Sequence, residues 1–464
     1  MQRIAVHEPG RRDWRRSVAM GAMAVAMTTA PGAMAQTPRE AELEARLNQL
    51  EAAVSVLKSE LTQARSDQQA STRIAQKADS RVAALETRPV ADGFKVGATT
   101  FTLGGFVKTV GSATRYDDGE VPGGSLGKEF YLPQQIPVGG RSSRDIIGHA
   151  RQTRLSFSTS TPLGGQEVKS VVEFDFALAA APLGAQRATN PYTPTFRRGF
   201  ISYGNWLIGQ EWTTFQNPAH LPETTDFVGP MDGAIFVRQM MVQYRQPLGG
   251  GLDLYVAAEN PQTETITTTS PALGDNDQDR MPDLIAKLAY KGAIGELHVA
   301  GLVRQLSARD NGVGDTAMGW GVTAGGKVPF GPQGRHDLRF LATYGHGMGR
   351  YFTVGYAPDA IYDPAVGNRL HVVDNVAGFA ALKLGWTPTI RSTFMAGYQH
   401  ADYPDDILLP GLANRAAYSF AGNLFWSPVK QLDLGIEYRH AQREVVSGLK
   451  GQMDRVEMAA KFTF

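Results

Sequence analysis

The last ten residues, 455-RVEMAAKFTF-464, alternate between two kinds of side chain. One parity is entirely apolar: Val456, Met458, Ala460, Phe462 and Phe464. The other parity carries Arg455, Glu457 and Lys461. Because successive side chains of a β-strand point to opposite faces, this segment is predicted to form a strand with one apolar and one charged face. The apolar face is expected to meet lipid and the charged face water.

The same two-residue period runs from Thr99 to the end, in segments such as 252-LDLYVAAE-259 and 432-LDLGIEYRH-440. Short turns punctuated by Gly, Pro and Asn alternate strictly with longer polar connections, as a membrane barrel requires. The short turns are expected at 161–166, 203–206, 246–251, 290–295, 328–334, 385–390 and 425–430. The long connections are expected at 116–146, 180–195, 213–234, 260–282, 308–317, 347–369, 401–414 and 443–452.

Seven short turns and eight long connections join sixteen strands. We therefore predict an all-β transmembrane barrel over 99–464, made of sixteen antiparallel strands in up-and-down order. A soluble β-sandwich also alternates, but it would need two separate cores at this length and would not sort its loops into a short and a long end. No run of about 18 apolar residues follows the first forty, so no internal membrane-spanning helix is expected.

The N-terminal segment 1–35 has the pattern of a secretory signal peptide. Arg11, Arg12, Arg15 and Arg16 precede an apolar run, and Ala33-Met34-Ala35 forms an A-x-A cleavage site. The chain has no cysteine, which excludes a disulfide scaffold and a thiolate site. Its 46 basic and 45 acidic residues nearly balance, so no nucleic-acid partner is expected.

Residues 36–90 are predicted to form a periplasmic coiled coil, followed by a linker at 91–98. Apolar residues recur there with alternating spacings of three and four, which places them on one seam of a helix. The seam begins with Leu43, Leu47, Leu50, Val54, Leu57 and Leu61. Such a helix cannot bury its stripe alone, so an oligomer is expected. A helix lying on its own barrel remains the alternative.

A sixteen-strand barrel leaves an aqueous lumen, so function is expected in the side chains that narrow and line it. The segment 213–234 is the candidate constriction loop because its prolines and glycines suit a stiff segment folded inward, although an ordinary surface loop remains possible on the sequence alone. Its acids Glu223, Asp226 and Asp232 are expected to face a basic wall, for which the flanking Arg197, Arg198 and Arg238 are the candidates. The candidate constriction residues are Arg154, Lys169, Arg197, Arg198, Arg238, Arg304, Arg339, Glu223 and Asp226.

Motifs for other chemistry are weak. Asp275, Asp277 and Asp279 alternate in a loop, but the glycine and the final acid of a calcium loop are missing. The histidines show no metal spacing, and no Gly-x-Ser-x-Gly or phosphate-cradling loop occurs in the required context. We therefore predict no metal, no cofactor and no catalytic residue. An outer-membrane enzyme would need a Ser/His pair on the barrel wall.

Several segments of the mature chain resemble the DcaP-like trimeric porins of Gram-negative bacteria. The segments that carry the resemblance are 104-GGFVKTV-110, 169-KSVVEFDF-176, 197-RRGFISYGNWLIGQEWTTF-215, 217-NPAHLPETTDFVGP-230, 280-RMPDLIAKLAY-290 and the terminal Phe464. The resemblance implies a homotrimer of sixteen-strand barrels with coiled coils joined in the periplasm. It also implies diffusion of small anions, notably dicarboxylates, through a basic constriction that includes Arg154, Arg197, Arg198 and Arg238.

Other functions remain open at this stage. A phosphate- or polyphosphate-selective porin shares the barrel size, but it should show a dense ladder of lysine and arginine that inward acids interrupt here. A general diffusion pore whose coiled coil grips peptidoglycan as a structural tether is the other alternative. The expected surroundings are outer-membrane lipids and lipopolysaccharide.

Overall fold

The computed structural model describes residues 93–177, 192–274, 276–310 and 312–464. The predicted signal peptide and the predicted coiled coil, with its seam from Leu43 to Leu61, lie outside the described residues. Most of the described chain is β-strand, and it belongs to one compact unit, Pro89–Phe464. No helix among the described residues is long and apolar enough to cross a bilayer.

The strands of the described residues follow the chain in this order: β1 (Phe94–Val96), β2 (Thr99–Tyr116), β3 (Ser143–His149), β4 (Arg154–Leu163), β5 (Gln166–Asp175), β6 (Thr195–Tyr203), β7 (Trp206–Trp212), β8 (Arg238–Gly249), β9 (Leu252–Glu259), β10 (Thr265–Ile266), β11 (Asp283–Gly292), β12 (Gly295–Asp310), β13 (Val313–Phe330), β14 (His336–His346), β15 (Ala360–Ile361), β16 (His371–Val372), β17 (Asp374–Gly385), β18 (Ile390–Asp402), β19 (Asn414–Val429), β20 (Leu432–Val445) and β21 (Lys450–Thr463). Short 3-10 turns occupy Leu126–Lys128, Pro133–Gln135, Pro218–His220, Met231–Gly233, Pro332–Gly334 and Gly349–Tyr351.

Sixteen antiparallel strands close into a barrel, which confirms the predicted barrel and its strand number. The wall consists of β2, then β3 and β4 as two pieces of one strand, then β5 to β9, β11 to β14 and β17 to β21. The first wall strand, β2, pairs with β3 and β4 on one side and with β21 on the other. This last pairing closes the barrel and leaves no free edge among the wall strands. The small strands β10, β15 and β16 form a separate sheet in the loops.

Five of the seven short turns of the described residues fall inside the predicted intervals, whereas the turns at 331–335 and 430–431 each extend one residue beyond them. Two of the predicted long connections are shorter than expected. The segment 308–317 is mostly strand, because β12 and β13 continue as a paired ribbon up to Asp310 and Val313. The connection predicted at 443–452 shrinks to 446–449 between β20 and β21. The Asp, Asn and Gly residues within 308–317 make this paired ribbon look like a loop in the sequence, although Leu306 and Ala308 on one of its faces are buried.

The last strand shows the two-faced pattern. Val456, Met458 and Phe462 are 40%, 59% and 50% exposed on the outer wall. Arg455 and Glu457 point inward and are each only 2% exposed. An outer face of large apolar side chains is what a wall in contact with lipid requires.

The interior is occupied by loops that fold back into the barrel. We call residues 213–237, between β7 and β8, the inner loop. Its Phe215 and Ile235 are completely buried, as are Tyr351 and Phe352 from the connection after β14. Ile235 forms a bridge with Phe352, so the two connections pack against each other inside the wall. The lumen is therefore narrowed by packed chain rather than only by side chains of the strands.

A close backbone approach fixes the inner loop against the far wall. A Cβ added at Gly233 would overlap the carbonyl group of Gly378 in β17. Near it, Asp232 of the inner loop accepts a hydrogen bond from Ser419 Oγ of β19 at 2.7 Å. Only glycine permits this contact at position 233, and the loop segment Met231–Gly233 lies against three neighbouring wall strands, β17 to β19.

We expect Gly233→Ala to push the inner loop off the wall. Overpacking of this kind costs about 1–3 kcal/mol, and the displaced loop should enlarge the pore. The apparent melting temperature should fall and single-channel conductance should rise or fluctuate. Gly367→Ala is the matched control, because a Cβ at Gly367 meets no atom within 4 Å. Equal melting temperatures and conductance for the two variants would contradict this account.

Candidate pore constriction

Inward cations of the wall hold the main chain of the inner loop. Three of them donate to its carbonyl oxygens: Lys287 to Gln216 at 3.1 Å, Arg339 to Leu221, and Lys108 to Asp226 at 3.1 Å. Because these cations come from β11, β14 and β2, the loop is held on opposite sides of the barrel. Arg339 also donates to Asp337 at 2.6 Å. Part of the basic lining therefore positions the loop.

Glu223 of the inner loop is held by two cations of the wall. Arg391 of β18 binds it in a fork, with Nε and Nη2 at 2.7 and 2.5 Å from the two carboxylate oxygens. Lys383 Nζ lies 3.6 Å away, and Asp433 accepts from the same Arg391 at 3.0 Å. Burial raises the pKa of Glu223, but the hydrogen bonds from Arg391 and the charge of Lys383 outweigh it, so its pKa lies below its usual value.

The other two acids of the loop are structural. Asp226 accepts hydrogen bonds from the backbone N–H groups of Tyr131 at 2.8 Å and Phe227 at 2.7 Å. Asp232 is fully buried, and this burial raises its pKa. The sequence led us to expect these acids to face Arg197, Arg198 and Arg238. The structure places none of them in an ion pair with those arginines, because the loop continues past them to the β17–β20 wall.

Arg197 and Arg198 both point into the barrel although they are adjacent in the chain. The register between β5 and β6 shifts here, so that Glu173 faces Arg198 while Phe174 faces Phe196. This β-bulge inserts one residue and lets neighbouring side chains share a face. Arg197 donates to Glu173 at 2.8 Å and to Asp175, and is 2% exposed.

Two of the candidate constriction arginines, Arg154 and Arg198, are partly exposed to solvent. Their side chains are 25% and 28% exposed. Arg154 lies 3.8 Å from Glu173 and 3.7 Å from Asp175, and its guanidinium stands 5.2 Å from the ring of Phe106. Arg198 donates to Glu211 at 2.7 Å. A planar guanidinium with free donors is suited to a passing carboxylate.

Arg238 has different surroundings from Arg154, Arg197 and Arg198. It shares the parity of Met240 and Val242, which are 53% and 41% exposed on the outer wall. Its guanidinium packs on Trp212 and Phe236, at 5.1 and 5.7 Å from the ring centroids. Trp212 also lies beneath Arg197 at 6.0 Å. Arg238 thus belongs to an aromatic stack at the root of the inner loop.

Two further candidates, Arg304 and Lys169, have partners outside this cluster. Arg304 is fully buried between Asp283 at 3.4 Å and Asp359 at 3.0 Å, so it ties loops to the wall and meets no solvent. Lys169 is 57% exposed and pairs with Glu167 at 2.8 Å beside the short turn at 164–165. Inward parity alone does not reveal the height of a residue in the barrel.

Sequence reasoning missed Arg391, which directly follows the turn predicted at 385–390. The alternation of inward and outward side chains in the preceding strand does not carry across a turn, so the direction of Arg391 did not follow from it. The polar parity of the last strand does indicate Lys461, which is 35% exposed and lies 2.9 Å from Asp433. Among the described residues, no group of three or more His, Cys, Asp or Glu is arranged to hold a metal ion.

Two histidines meet where the inner loop touches β12. His220 Nδ1 and His298 Nδ1 are 3.0 Å apart, and Asn217 Nδ2 donates to His220 Nε2 at 3.1 Å. The amide donor fixes the proton of His220 on Nδ1, from which it donates to His298. Burial lowers the pKa of His220 to about 4. Glu296 opposes this shift, whereas the cations around the pair support it: Lys287, Arg339 and Lys327.

Comparison with known proteins finds a matching family and similar solved structures. The family model described as DcaP outer membrane protein matches residues 152–464. The crystal structure of the outer membrane channel DcaP of Acinetobacter baumannii is 27% identical, with a TM-score of 0.67, covering 80% of this chain and 99% of that chain. Outer-membrane expressed OmpT of Vibrio cholerae is 10% identical, with a TM-score of 0.50, covering 80% of this chain and 99% of that chain. No curated protein matches the chain.

We expect acid to weaken the docking of the inner loop through His220. Its pKa is lower in the folded protein than the ordinary 6.5, so the unfolded state binds more protons between these values. Stability should therefore fall as the pH drops from 6.5 to 4, by up to about 3 kcal/mol. The apparent melting temperature of His220→Asn should fall less over this range than that of the wild type.

His371→Asn is the control, because His371 lies 3.5 Å from Asp406 on the surface. Its melting temperature should follow the wild-type curve between pH 6.5 and 4. Parallel curves for His220→Asn and the wild type would refute a role of this histidine in the acid sensitivity.

Proposed function

The chain belongs to the DcaP outer membrane protein family, and from that premise we propose that its outer-membrane channel passes small anionic solutes, with dicarboxylates as the main class. One observation carries the proposal. The acids of the inner loop already have partners, Glu223 and Asp232 on the wall and Asp226 at the backbone of Tyr131, whereas Arg154 and Arg198 remain partly exposed to the lumen. Fixed positive charge at a narrow point lowers the barrier for anions.

The charges around Arg154 and Arg198 support a modest preference for anions over cations. Three guanidinium groups, Arg154, Arg197 and Arg198, pair with three carboxylates, Glu173, Asp175 and Glu211, and the charge of Arg238 nearby leaves an excess of one positive charge. A small excess suits a diffusion pore because the solute must also leave. Arginine forks match carboxylates in geometry, which favours organic acids over simple ions.

A second basic group extends the path for a solute with two carboxylates. Lys383, Arg391 and Lys461 are 24%, 18% and 35% exposed around Glu223 and Asp433. In this group as well the cations outnumber the acids by one, three against two. The acids in both groups argue against the alternative of a phosphate- or polyphosphate-selective pore, which needs an uninterrupted basic ladder.

We further propose that the protein acts as a homotrimer, with segment 36–90 forming a periplasmic coiled coil that contacts peptidoglycan. The recurrence of apolar residues at the seam from Leu43 to Leu61 supports the assembly. A general diffusion pore with a tethering role is the remaining alternative, and uptake that depends only on solute size would favour it.

We expect Arg154→Gln with Arg198→Gln to reduce anion permeation, because the exposed positive charge of the cluster is removed. In a salt gradient across a planar bilayer, the reversal potential should shift towards cations. Liposome swelling with dicarboxylates should slow about tenfold relative to neutral sugars of the same size, as the loss of 1–2 kcal/mol of attraction implies.

Lys169→Gln is the control for this pair, because Lys169 lies near a short turn and is bound to Glu167. It should leave the reversal potential unchanged. A shift equal to that of the arginine variant would mean that net lumen charge, rather than this cluster, sets the selectivity. An unchanged potential in both variants would refute the proposed constriction.

The opposite change is expected for Glu223→Gln. It removes the carboxylate shared by Arg391 and Lys383 and leaves Asp433 as the acid bound to Arg391, so the preference for anions should rise in the same reversal-potential measurement. Glu167→Gln removes an equal charge at an exposed position, 46% exposed in its side chain, and should have little effect. A shift of Glu223→Gln towards cations would contradict the assignment of Arg391 to the solute path.

A further inference from the structure

A cleft of about 320 Å³ lies where β6, β7 and β8 meet the long connections. Phe196, Gln210 and Arg238 stand near the ends of these strands, and Glu264 and Val354 come from the connections that follow β9 and β14. The cleft has the size of a small-molecule site, and its lining mixes apolar side chains with a few charged ones. Apart from Arg238, none of these residues belongs to the basic groups described above.

The cleft contains a guanidinium group that lacks an acid. Nη1 of Arg238 is buried and has no hydrogen-bond acceptor among the described residues, and no carboxylate in those parts of the chain forms an ion pair with it. The rings of Trp212 and Phe236, at 5.1 and 5.7 Å, hold the guanidinium in place. A buried donor without an acceptor is costly, so a carboxylate bound in the cleft would stabilise this group.

The same cleft contains an acid that lacks a base. Oε2 of Glu264 is buried and has no hydrogen-bond donor within the described ranges. The main chain around it is fixed, because Glu264 N donates to Asp359 Oδ2 and Asp359 N donates to Glu264 O, each at 2.8 Å. Burial and then the charge of Asp359 raise the pKa of Glu264 to about 7, and the charges of Arg350 and Arg304 oppose this shift. A cation bound in the cleft would stabilise the ionised carboxylate.

A strained turn forms another side of the cleft. Thr353 and Val354 have φ angles of 48° and 56°, in the left-handed region that β-branched residues avoid, and Gly355 continues the turn with a φ of 67°. Thr353 Oγ1 donates to the carbonyl oxygen of Met231, which ties the turn to the inner loop. A Cβ added at Gly355 would lie 2.9 Å from Glu264 Oε2, so the carboxylate stands directly against the turn. Backbone strain that the surroundings impose in this way is concentrated at ligand sites.

We propose that this cleft binds α-amino acids, with the carboxylate of the solute at Arg238 and its ammonium group at Glu264. The two side chains line one cavity but form no ion pair with each other, since aromatic rings hold Arg238 and the backbone contacts with Asp359 hold Glu264. A solute that carries both charges on neighbouring atoms satisfies both groups at once. A simple anion or a simple cation satisfies only one of them.

The proposal rests on the anion channel proposed above and narrows the class of its solutes. An acidic amino acid has a net negative charge, so it suits the basic groups of the pore, and its ammonium group adds the bond to Glu264. Succinate has the carbon skeleton and both carboxylates of aspartate but lacks the ammonium group. A comparison of these two solutes therefore separates binding in the cleft from the general attraction of anions.

The test is the block of potassium chloride current by aspartate or by succinate in single channels of the full chain, about one pH unit above the pKa of Glu264. In the wild type, the concentration that halves the current should be about tenfold lower for aspartate, as one additional charge-assisted hydrogen bond implies. Glu264→Gln should raise this concentration about tenfold for aspartate. It should lower it for succinate, because a repelling carboxylate is removed. Arg238→Gln should raise it for both solutes.

The preference for aspartate should also depend on pH. Because the pKa of Glu264 is about 7, this carboxyl is ionised above that value and takes up a proton below it. A drop of about two pH units across the pKa should therefore remove most of the preference in the wild type. In Glu264→Gln the ratio of the two half-blocking concentrations should stay constant over the same step.

Two exposed positions in other long connections supply matched controls. Glu120→Gln removes an acid and Arg369→Gln removes an arginine, each from a side chain on the surface. Both variants should keep the wild-type half-blocking concentrations for aspartate and succinate. Heat-dependent gel mobility verifies that every variant is folded.

Equal half-blocking concentrations of aspartate and succinate in the wild type would overturn the proposal. A preference for aspartate that survives in Glu264→Gln, or that is lost equally in Glu120→Gln, would overturn it as well. The anion channel would stand in these cases as long as succinate permeates and the reversal potential favours anions. A reversal potential that favours cations, together with an aspartate preference that depends on Glu264, would contradict the anion channel and support the cleft.

Discussion

Closure of the backbone hydrogen-bond network by β2 and β21 is the constraint on which the rest of the structure depends. A backbone polar group left unpaired in lipid costs several kcal/mol, so a sheet in a membrane cannot keep a free edge. The pairing runs from Phe106 with Thr463 to Tyr116 with Met453. Once it forms, the parity of every wall residue is set, because a register slip of one residue would turn the charged face of each strand towards lipid.

Closing sixteen strands creates a second problem, because a cylinder of this size has a lumen that side chains of the wall cannot fill. The chain narrows it with the inner loop and with the connection after β14, which meet at Ile235 and Phe352. Buried backbone in these segments still needs partners. Lys287, Arg339 and Lys108 supply donors to three of its carbonyl groups. The inward charges thus stabilise the loop and shape the field around it.

Because the inward charges both stabilise the inner loop and line the pore, the number of charged residues alone does not describe the field at the constriction. Glu223 and Arg391 form a fork that neutralises both, and Arg304 is completely enclosed by its acids. The charge available to a solute is the remainder left exposed after such pairing, at Arg154, Arg198, Lys383 and Lys461.

The sequence by itself determined the barrel, its strand number and the face of most wall residues, because alternation between lipid and water has a strict period of two. It also indicated that 213–234 is shaped by proline and glycine. It misjudged 308–317, where Asp, Asn and Gly residues suggested a loop although most of the segment is paired strand. Only the tertiary structure decided which charges meet. The bulge that turns Arg197 and Arg198 to one side, the partnership of Glu223 with Arg391 and the height of Lys169 all depend on register and loop path. Local side-chain chemistry does not encode these, because each is set by contacts between segments far apart in the chain.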